Sequence, residues 1–409
     1  MDHKKKLRCA LLAWLCLCNA AYAADSQTQA APTPPVRPEP RLSKSMNEEV
    51  VMVSSGTGMF GVQLETTIFK PDGSGPFPIV MMNHGKSLGP PSQQPRSRDI
   101  VIAREFLHRG YAVVLPMRRG FSKSTGQFIG GTCNTTENGI AQANDLQSAL
   151  NYVLAQPWAE KDKVVIMGQS HGGLSTMAFG ARNPAHVKAL VNFAGGLRYN
   201  LPTCDWKPAL VEAFTTYGKT TRLPSVWFYG ANDSYFAPEL ARQMYEAYTK
   251  SGADAKLIAF GPFKNDAHGM SGSRDGVPIW WPETEALLKR VGLPTAKIIA
   301  LSDEPAGTNF ARLDDDTAVP YVKQDGRIGY DRFLQAPLPR AFAISESGRW
   351  VIASGGESPV EVALDVCQKR ADAPCSIYAV DQNVVWVDKG HAGHPDPAQG
   401  GSDKTAAMH

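Results

Sequence analysis

The chain has 409 residues, 43% hydrophobic and 20% charged, with 42 Lys and Arg against 39 Asp and Glu. This is ordinary globular composition, long enough for one large domain and a smaller one. Residues 1–23 hold Lys4, Lys5, Lys6, Arg8 and Asp2, so the remainder carries 42 − 4 = 38 basic against 39 − 1 = 38 acidic residues, and nothing in that balance suggests an electrostatic surface for nucleic acid.

The first element is a leader. MDHKKKLR is basic, CALLAWLCLCNA is a short apolar run, and Ala21 to Ala23 form a small-x-small cleavage signal, so residues 1–23 read as a secretory signal peptide. The apolar run is shorter than the roughly 20 residues a membrane span needs, so no stable membrane anchor is expected. The expected location is periplasmic or secreted. Residues 24–45, with the polar, proline-rich SQTQAAPTPPVRPEPR, form a disordered linker. Three of the seven cysteines fall in the leader, leaving Cys133, Cys204, Cys367 and Cys375. An even count in an exported protein favours disulfides over buried free thiols. Proximity suggests Cys133 with Cys204 and Cys367 with Cys375, among the three connectivities that four cysteines allow.

From residue 46 to 292 short apolar runs alternate with longer mixed segments. Strands are expected at Gln63–Phe69, Ile79–Asn83, Ala112–Pro116, Val164–Met167, Ala189–Phe193, Ser225–Tyr229 and Lys256–Phe260. Helices are expected at Arg98–Arg109, Gly139–Ala155, Gly173–Asn183 and Pro238–Ser251. The alternation predicts a mainly parallel sheet covered on both faces, with chemistry just beyond the carboxyl ends of the strands.

After Val164–Met167 comes GQSHG, a GxSxG turn between strand and helix. Residues flanking such a serine must lack bulk, and Gly168, Gly172 and Gly173 meet that need. Ser170 is left at a helix amino terminus, where N–H groups favour developing negative charge. A serine needs a base, and the base an acid to hold its tautomer. Asp233 follows the Ser225–Tyr229 strand and His268 the Lys256–Phe260 strand, giving the order Ser, Asp, His of the α/β-hydrolase fold. Asp266 is a rival acid, but two residues before the histidine it would have to fold back onto it. The backbone N–H groups of His171 and Lys86 are the candidate oxyanion donors.

LETTIFKPDGSGPFPIVMMNHG, RGYAVVLPMRRGFSKSTG and NYVLAQPWAEKDKVVIMGQSHGG resemble the dienelactone-hydrolase-like and prolyl-oligopeptidase-like branch of the α/β-hydrolases. The resemblance covers about Met46 to Val291 and implies that Ser170, Asp233 and His268 are nucleophile, acid and base of an acyl transfer that needs no cofactor or metal. Dienelactone hydrolases have a cysteine nucleophile, so lactone specificity does not carry over. Prolyl oligopeptidases carry a propeller that the short arm here cannot supply.

The expected fold class is therefore an α/β-hydrolase fold plus a small α+β C-terminal domain. Leu197–Arg222 interrupts the strand rhythm where a cap is often placed; Tyr199, Trp206 and Phe214 would line a pocket or pack the cap on the body, and a Cys133–Cys204 bridge would fix that lid over Ser170. Residues 293–389 form an accessory domain with a strand at Ala341–Ile344, a helix at Pro359–Arg370 and strands at Ser376–Val380 and Asn383–Val387. Cys367 and Cys375 would pin its helix to the next strand. Asp314 to Asp316 lack the EF-hand spacing and read as a solvated loop. His391 and His394 sit in a low-complexity tail, residues 390–409.

The expected function is exported serine hydrolysis of a carboxylic ester. A serine peptidase acting on short peptides is the nearest alternative, and a binding protein on a hydrolase fold the alternative from another class. The expected partner is a small ester or short peptide.

Overall fold

The computed structural model describes residues 42–388 apart from 44, 57–60, 131–132, 200–202, 302–306 and 356–357. The leader, the linker up to residue 41 and the tail with His391 and His394 lie outside the described residues. The described residues belong to one compact unit.

In chain order the first part carries β1 (Glu49–Ser55), β2 (Val62–Phe69), β3 (Phe77–Asn83), α1 (Ile100–Leu107), β4 (Ala112–Pro116), α2 (Thr135–Leu154), β5 (Ala159–Gln169), α3 (His171–Gly180) and β6 (Val187–Phe193). Then follow α4 (Trp206–Thr220), β7 (Ser225–Gly230), α5 (Pro238–Lys250), β8 (Ala255–Phe260) and α6 (Val277–Arg290). The strands form one eight-stranded sheet in the order β1-β2-β4-β3-β5-β6-β7-β8. β1, β2 and β4 pair antiparallel, and from β4 through β3 to β8 every pairing is parallel.

The period of two along β5 explains why its core reads as an unbroken apolar run. Val164 and Ile166 pack on the face covered by α2, α3, α4 and α5, while Val165 and Met167 pack on the face covered by α1 and α6. Both faces are dry, so neither parity is polar. Gly168 and Ser170 stand where this central strand runs out, beside the ends of β3 and β6.

The expected cap is a correction. Most of Leu197–Arg222 is α4, whose Leu210, Ala213, Phe214 and Tyr217 are buried in the core at helical spacing. Phe214 packs on Trp227 with ring centroids 5.0 Å apart, and the Tyr217 hydroxyl donates to Thr136 O at 2.8 Å. α4 covers the sheet rather than Ser170. The Cys133–Cys204 disulfide accordingly joins the residue before the α2 cap, Asn134, to the one before Asp205, the cap of α4. It staples two helix starts rather than a lid.

The second part carries α7 (Gln324–Gln335), β9 (Arg340–Ser345), β10 (Trp350–Ser354), α8 (Pro359–Arg370), β11 (Cys375–Val380) and β12 (Asn383–Val384). Its strands form an antiparallel sheet in the order β10-β9-β11-β12. One face buries α7 through Tyr330 and Phe333, and the other buries α8 through Ala363 and Cys367. Cys367 is bonded to Cys375, tying α8 to β11. α7 and β10 were not expected from the sequence, and β12 stops at Val384, short of Val387. Asp314 pairs with Arg312 at 2.8 Å, and the Asp315 carboxylate accepts from the Thr317 amide at 3.1 Å. Among the described residues no helix is long and apolar enough to cross a membrane.

Candidate active site

Ser170 alone makes the turn between β5 and α3. Its backbone sits at φ 55° and ψ −122°, a conformation costly for a residue with a Cβ. Three hydrogen bonds hold it there: Ser170 N–H to Phe193 O at 2.9 Å, Gly196 N–H to Ser170 O at 3.0 Å, and Leu174 N–H to Ser170 O at 3.1 Å. The flanking glycines are required by close approach. A Cβ on Gly168 would lie 2.5 Å from Gly172 C, and one on Gly172 would lie 2.5 Å from Asn83 C and 2.6 Å from His84 O.

Asp233 and His268 come from the loops after β7 and β8. His268 Nδ1 lies 3.0 Å from Asp233 Oδ2, and the Asp233 side chain is fully shielded. Asp233 Oδ1 also accepts from the Tyr235 and Phe236 amides at 2.8 and 2.9 Å, so the carboxylate is aimed before the imidazole meets it. Asp266 is spent elsewhere: it accepts from the Ser234 amide and hydroxyl at 3.1 and 2.6 Å and from the His268 amide at 2.9 Å. Desolvation pushes its carboxyl up, but those hydrogen bonds outweigh it and hold the group below its ordinary value. It orders the histidine loop, not the ring.

Ser170 and His268 line one cavity of about 620 Å³ with His84, Lys86, Arg96, Gln169 and Tyr235. Among the described contacts Ser170 Oγ makes no hydrogen bond to the imidazole, a looseness common where no substrate is bound. Two residues near the ring escaped the sequence reading. Tyr235 lies against it with centroids 4.4 Å apart, and Gln169 Nε2 donates to His268 O at 3.0 Å. Gln169 is the variable position of GxSxG, so the motif itself gave no signal for it.

The loop after β3 brings the other expected residues to the serine. Gly85 passes so close that a Cβ there would lie 3.3 Å from Ser170 Cβ. His171 begins α3, where the first N–H groups have no acceptor in their own helix. Among the described residues neither the Lys86 nor the His171 backbone N–H donates to another group. The Lys86 ammonium rests on Ser87 O at 3.2 Å.

This loop is braced by a group the sequence did not reveal. Arg118, fully buried after β4, donates its amide to His84 Nε2 at 3.1 Å and Nη1 to His84 O at 2.6 Å. His84 Nδ1 in turn donates to Gly85 O at 2.7 Å, which fixes a neutral imidazole. Burial first, and then the Arg118 charge, hold His84 well below its ordinary value. Burial also brings Arg118 down to about 9. His171 is buried too, bonded through Nε2 to Asn138 Oδ1 at 2.8 Å, and desolvation pushes it well down. Both imidazoles are therefore held neutral in the fold.

Residues 60–201 match the profile of a family described as X-Pro dipeptidyl-peptidase (S15 family). Protein bem46 of Schizosaccharomyces pombe is 29% identical over 131 residues, which cover 29% of this chain and 41% of that protein, so the chain spans less than half the length of this curated relative. Among solved structures, an esterase of Pyrococcus furiosus aligns with TM-score 0.44 and 15% identity over 62% of this chain and 97% of its own. An acylaminoacyl peptidase of Pyrococcus horikoshii aligns with TM-score 0.46 and 15% identity over 62% and 43%. The strand order and the strained serine turn between strand and helix give the chain the α/β-hydrolase fold.

Proposed function

We propose that the protein is an exported serine esterase that cleaves a carboxylic ester through an acyl-serine intermediate. The observation that carries this reading is the Asp233–His268 pair, bonded at 3.0 Å, opening into the same cavity as Ser170 on its strained turn. His268 Nε2 takes the Ser170 proton as Oγ attacks the ester carbonyl, then gives it to the leaving alkoxide. Asp233 holds the ring with Nδ1 protonated and stabilises the imidazolium. The Lys86 and His171 N–H groups receive the oxyanion, and water attacking by the reverse path releases the acid.

A peptidase reading takes its support from the description of the matched family. A dipeptidyl substrate presents a charged amino terminus, which calls for a carboxylate in the cavity. Among the described lining residues no Asp or Glu is found, and the Lys86 ammonium supplies positive charge instead. That favours the ester.

The test is labelling by a fluorophosphonate, then turnover of 4-nitrophenyl esters against aminoacyl anilides, for the wild type and Ser170→Ala. Labelling and ester turnover lost in the variant support the proposal. Faster anilide turnover makes the protein a peptidase, and an unlabelled wild type removes the nucleophile. Export is part of the proposal, supported by the two disulfides; amino-terminal sequencing of secreted material should begin after Ala23, and an intact leader on it would refute cleavage.

A further inference from the structure

A second cavity, of about 540 Å³, runs along the open edge of the second sheet. β10 is the outermost strand and pairs only with β9. Ser345 N–H donates to Arg349 O at 2.9 Å and Gly355 N–H to Pro339 O at 2.7 Å, so residues 349 and 355 turn their backbone groups toward β9. Alternation along an antiparallel ladder gives 351 and 353 the same direction. It turns the N–H and C=O groups of Trp350 and Ile352 outward, where among the described residues nothing takes them. An edge of this kind is a template for another strand.

The walls are built to hold one extended chain. α8 presents Val362, Val366 and Arg370 to the cavity at a spacing of four, with Val362 51% exposed. α7 closes the opposite face, its Asp325 carboxylate accepting from Trp350 Nε1 at 3.1 Å. A second copy of β10 would arrive with its own two helices, whereas a single strand fits the slot between them.

The charge is placed at one end. The chain folds back from β10 into α8, so the start of the strand lies beside the end of the helix, and both Arg349 and Arg370 line that end. Among the described residues neither arginine forms an ion pair. Two guanidiniums face one carboxylate, and that carboxylate is already bonded to an indole. We propose that this groove binds an extended peptide as a fifth strand, with the peptide's C-terminal carboxylate between Arg349 and Arg370. The backbone of Trp350 and Ile352 supplies the ladder, Val362 and Val366 take alternate apolar side chains, and the arginines set the register.

The experiment measures fluorescence polarisation of fluorescein-labelled Thr-Val-Thr-Val-Val with a free carboxylate, its C-terminal amide, and a version N-methylated at alternate amides, against the full chain. The free acid should saturate, and the amide, the N-methylated peptide and the Arg370→Glu variant should each lose about tenfold or more in affinity. Ile352→Pro removes an outward N–H without taking a bond from β9 and should abolish binding, with the thermal midpoint reporting that the variant is folded. No saturation by about 1 mM, or an amide that binds as well as the acid, overturns the proposal. So does a sedimenting dimer that Val362→Glu splits, which would assign the edge to a second copy.

Discussion

Gly172→Ala tests the link between sequence and site most directly, because it adds one methyl and no charge. The new Cβ would lie 2.5 Å from Asn83 C and 2.6 Å from His84 O, against an ordinary contact distance that begins at 3.4 Å. Asn83 O lies closer still, so relief needs a displacement of more than 3.4 − 2.5, about 0.9 Å, and both neighbours are backbone, so no side chain can swing aside. What moves is either α3, carrying the Ser170 turn and the His171 N–H, or the end of β3, carrying Gly85 and Lys86. Either motion separates Ser170 from the Lys86 N–H, one of the two proposed oxyanion donors.

Overpacking of this kind costs about 1–3 kcal/mol of stability, and a misplacement near 1 Å costs about 10²-fold in rate. Gly172→Ala should therefore lose about two decades in kcat/KM on 4-nitrophenyl acetate while its melting point falls by only a few degrees. Gly261→Ala is the matched control, since a Cβ there meets nothing within 4 Å. A Gly172→Ala enzyme with wild-type kcat/KM and melting point would refute the reasoning, because the elbow would then not need its glycines.

Asp233→Asn keeps the shape but allows the imidazole the wrong tautomer, and should lower kcat by about 10⁴; Asp266→Asn, which touches only backbone and Ser234, should cost far less, and equal losses in stopped-flow turnover would reverse the assignment. The Cys133–Cys204 bridge closes a separation of 71 residues and Cys367–Cys375 one of 8, so chain entropy predicts losses of about 4 and about 2.5 kcal/mol for the respective serine pairs in urea titrations. A reversed order would argue that local packing, not loop closure, dominates. His84 and His171 are held neutral in the fold but titrate near 6.5 when unfolded, so the unfolded chain binds more protons below that pH. Stability is thus whole above about pH 6.5 and falls toward pH 5 with a slope approaching 2.7 kcal/mol per unit for the pair; a flat profile in guanidinium titrations would refute their burial as neutral groups.

Each part of the site was legible to the degree that local chemistry announced it. Ser170, Asp233 and His268 stand at strand ends whose β-branched runs were plain, and Ala112–Pro116 and Pro359–Arg370 match their elements residue for residue. Gln169, Tyr235 and Arg118 were not legible, since each acts through a neighbour distant in sequence: Gln169 on His268 across 99 residues, Arg118 on His84 across 34. The misreading of Leu197–Arg222 had another cause. Leu210, Ala213, Phe214 and Tyr217 carry a helical stripe, but such a stripe packs a cap on a body as readily as a helix on a sheet, so the pattern does not separate the two. α7 hid for a different reason: its Gly326 and Gly329, weak helix formers, are present because a Cβ at either would meet the Trp350 ring. Propensity lost there to a tertiary contact.

Among the described residues charged groups join the two parts at Arg274 and Asp381, 3.2 Å apart, and at Arg98, which links the buried Glu48 carboxylate to Glu361 of α8. Glu48, whose side chain is fully shielded, accepts from Arg96 Nη1 at 2.6 Å, Arg98 Nε at 2.7 Å and the Ser43 amide at 2.7 Å. Desolvation pushes this carboxyl up, but Arg98, the Ser43 amide and Arg96 together leave it below its ordinary value. Removing one partner of such a set strands buried charge and costs about 3–5 kcal/mol. Arg98 spends its remaining nitrogen on Glu361 of α8 at 2.6 Å, but the Glu361 side chain is 34% exposed, and a pair open to water contributes about 1 kcal/mol or less. The strong half of the network therefore belongs to the wall of the serine cavity, which Arg96 lines, and the weak half to the second sheet. α8 can give up Arg98 at little cost while Arg96 stays fixed, so the cavity keeps its shape whatever the edge groove beside Val362 is doing.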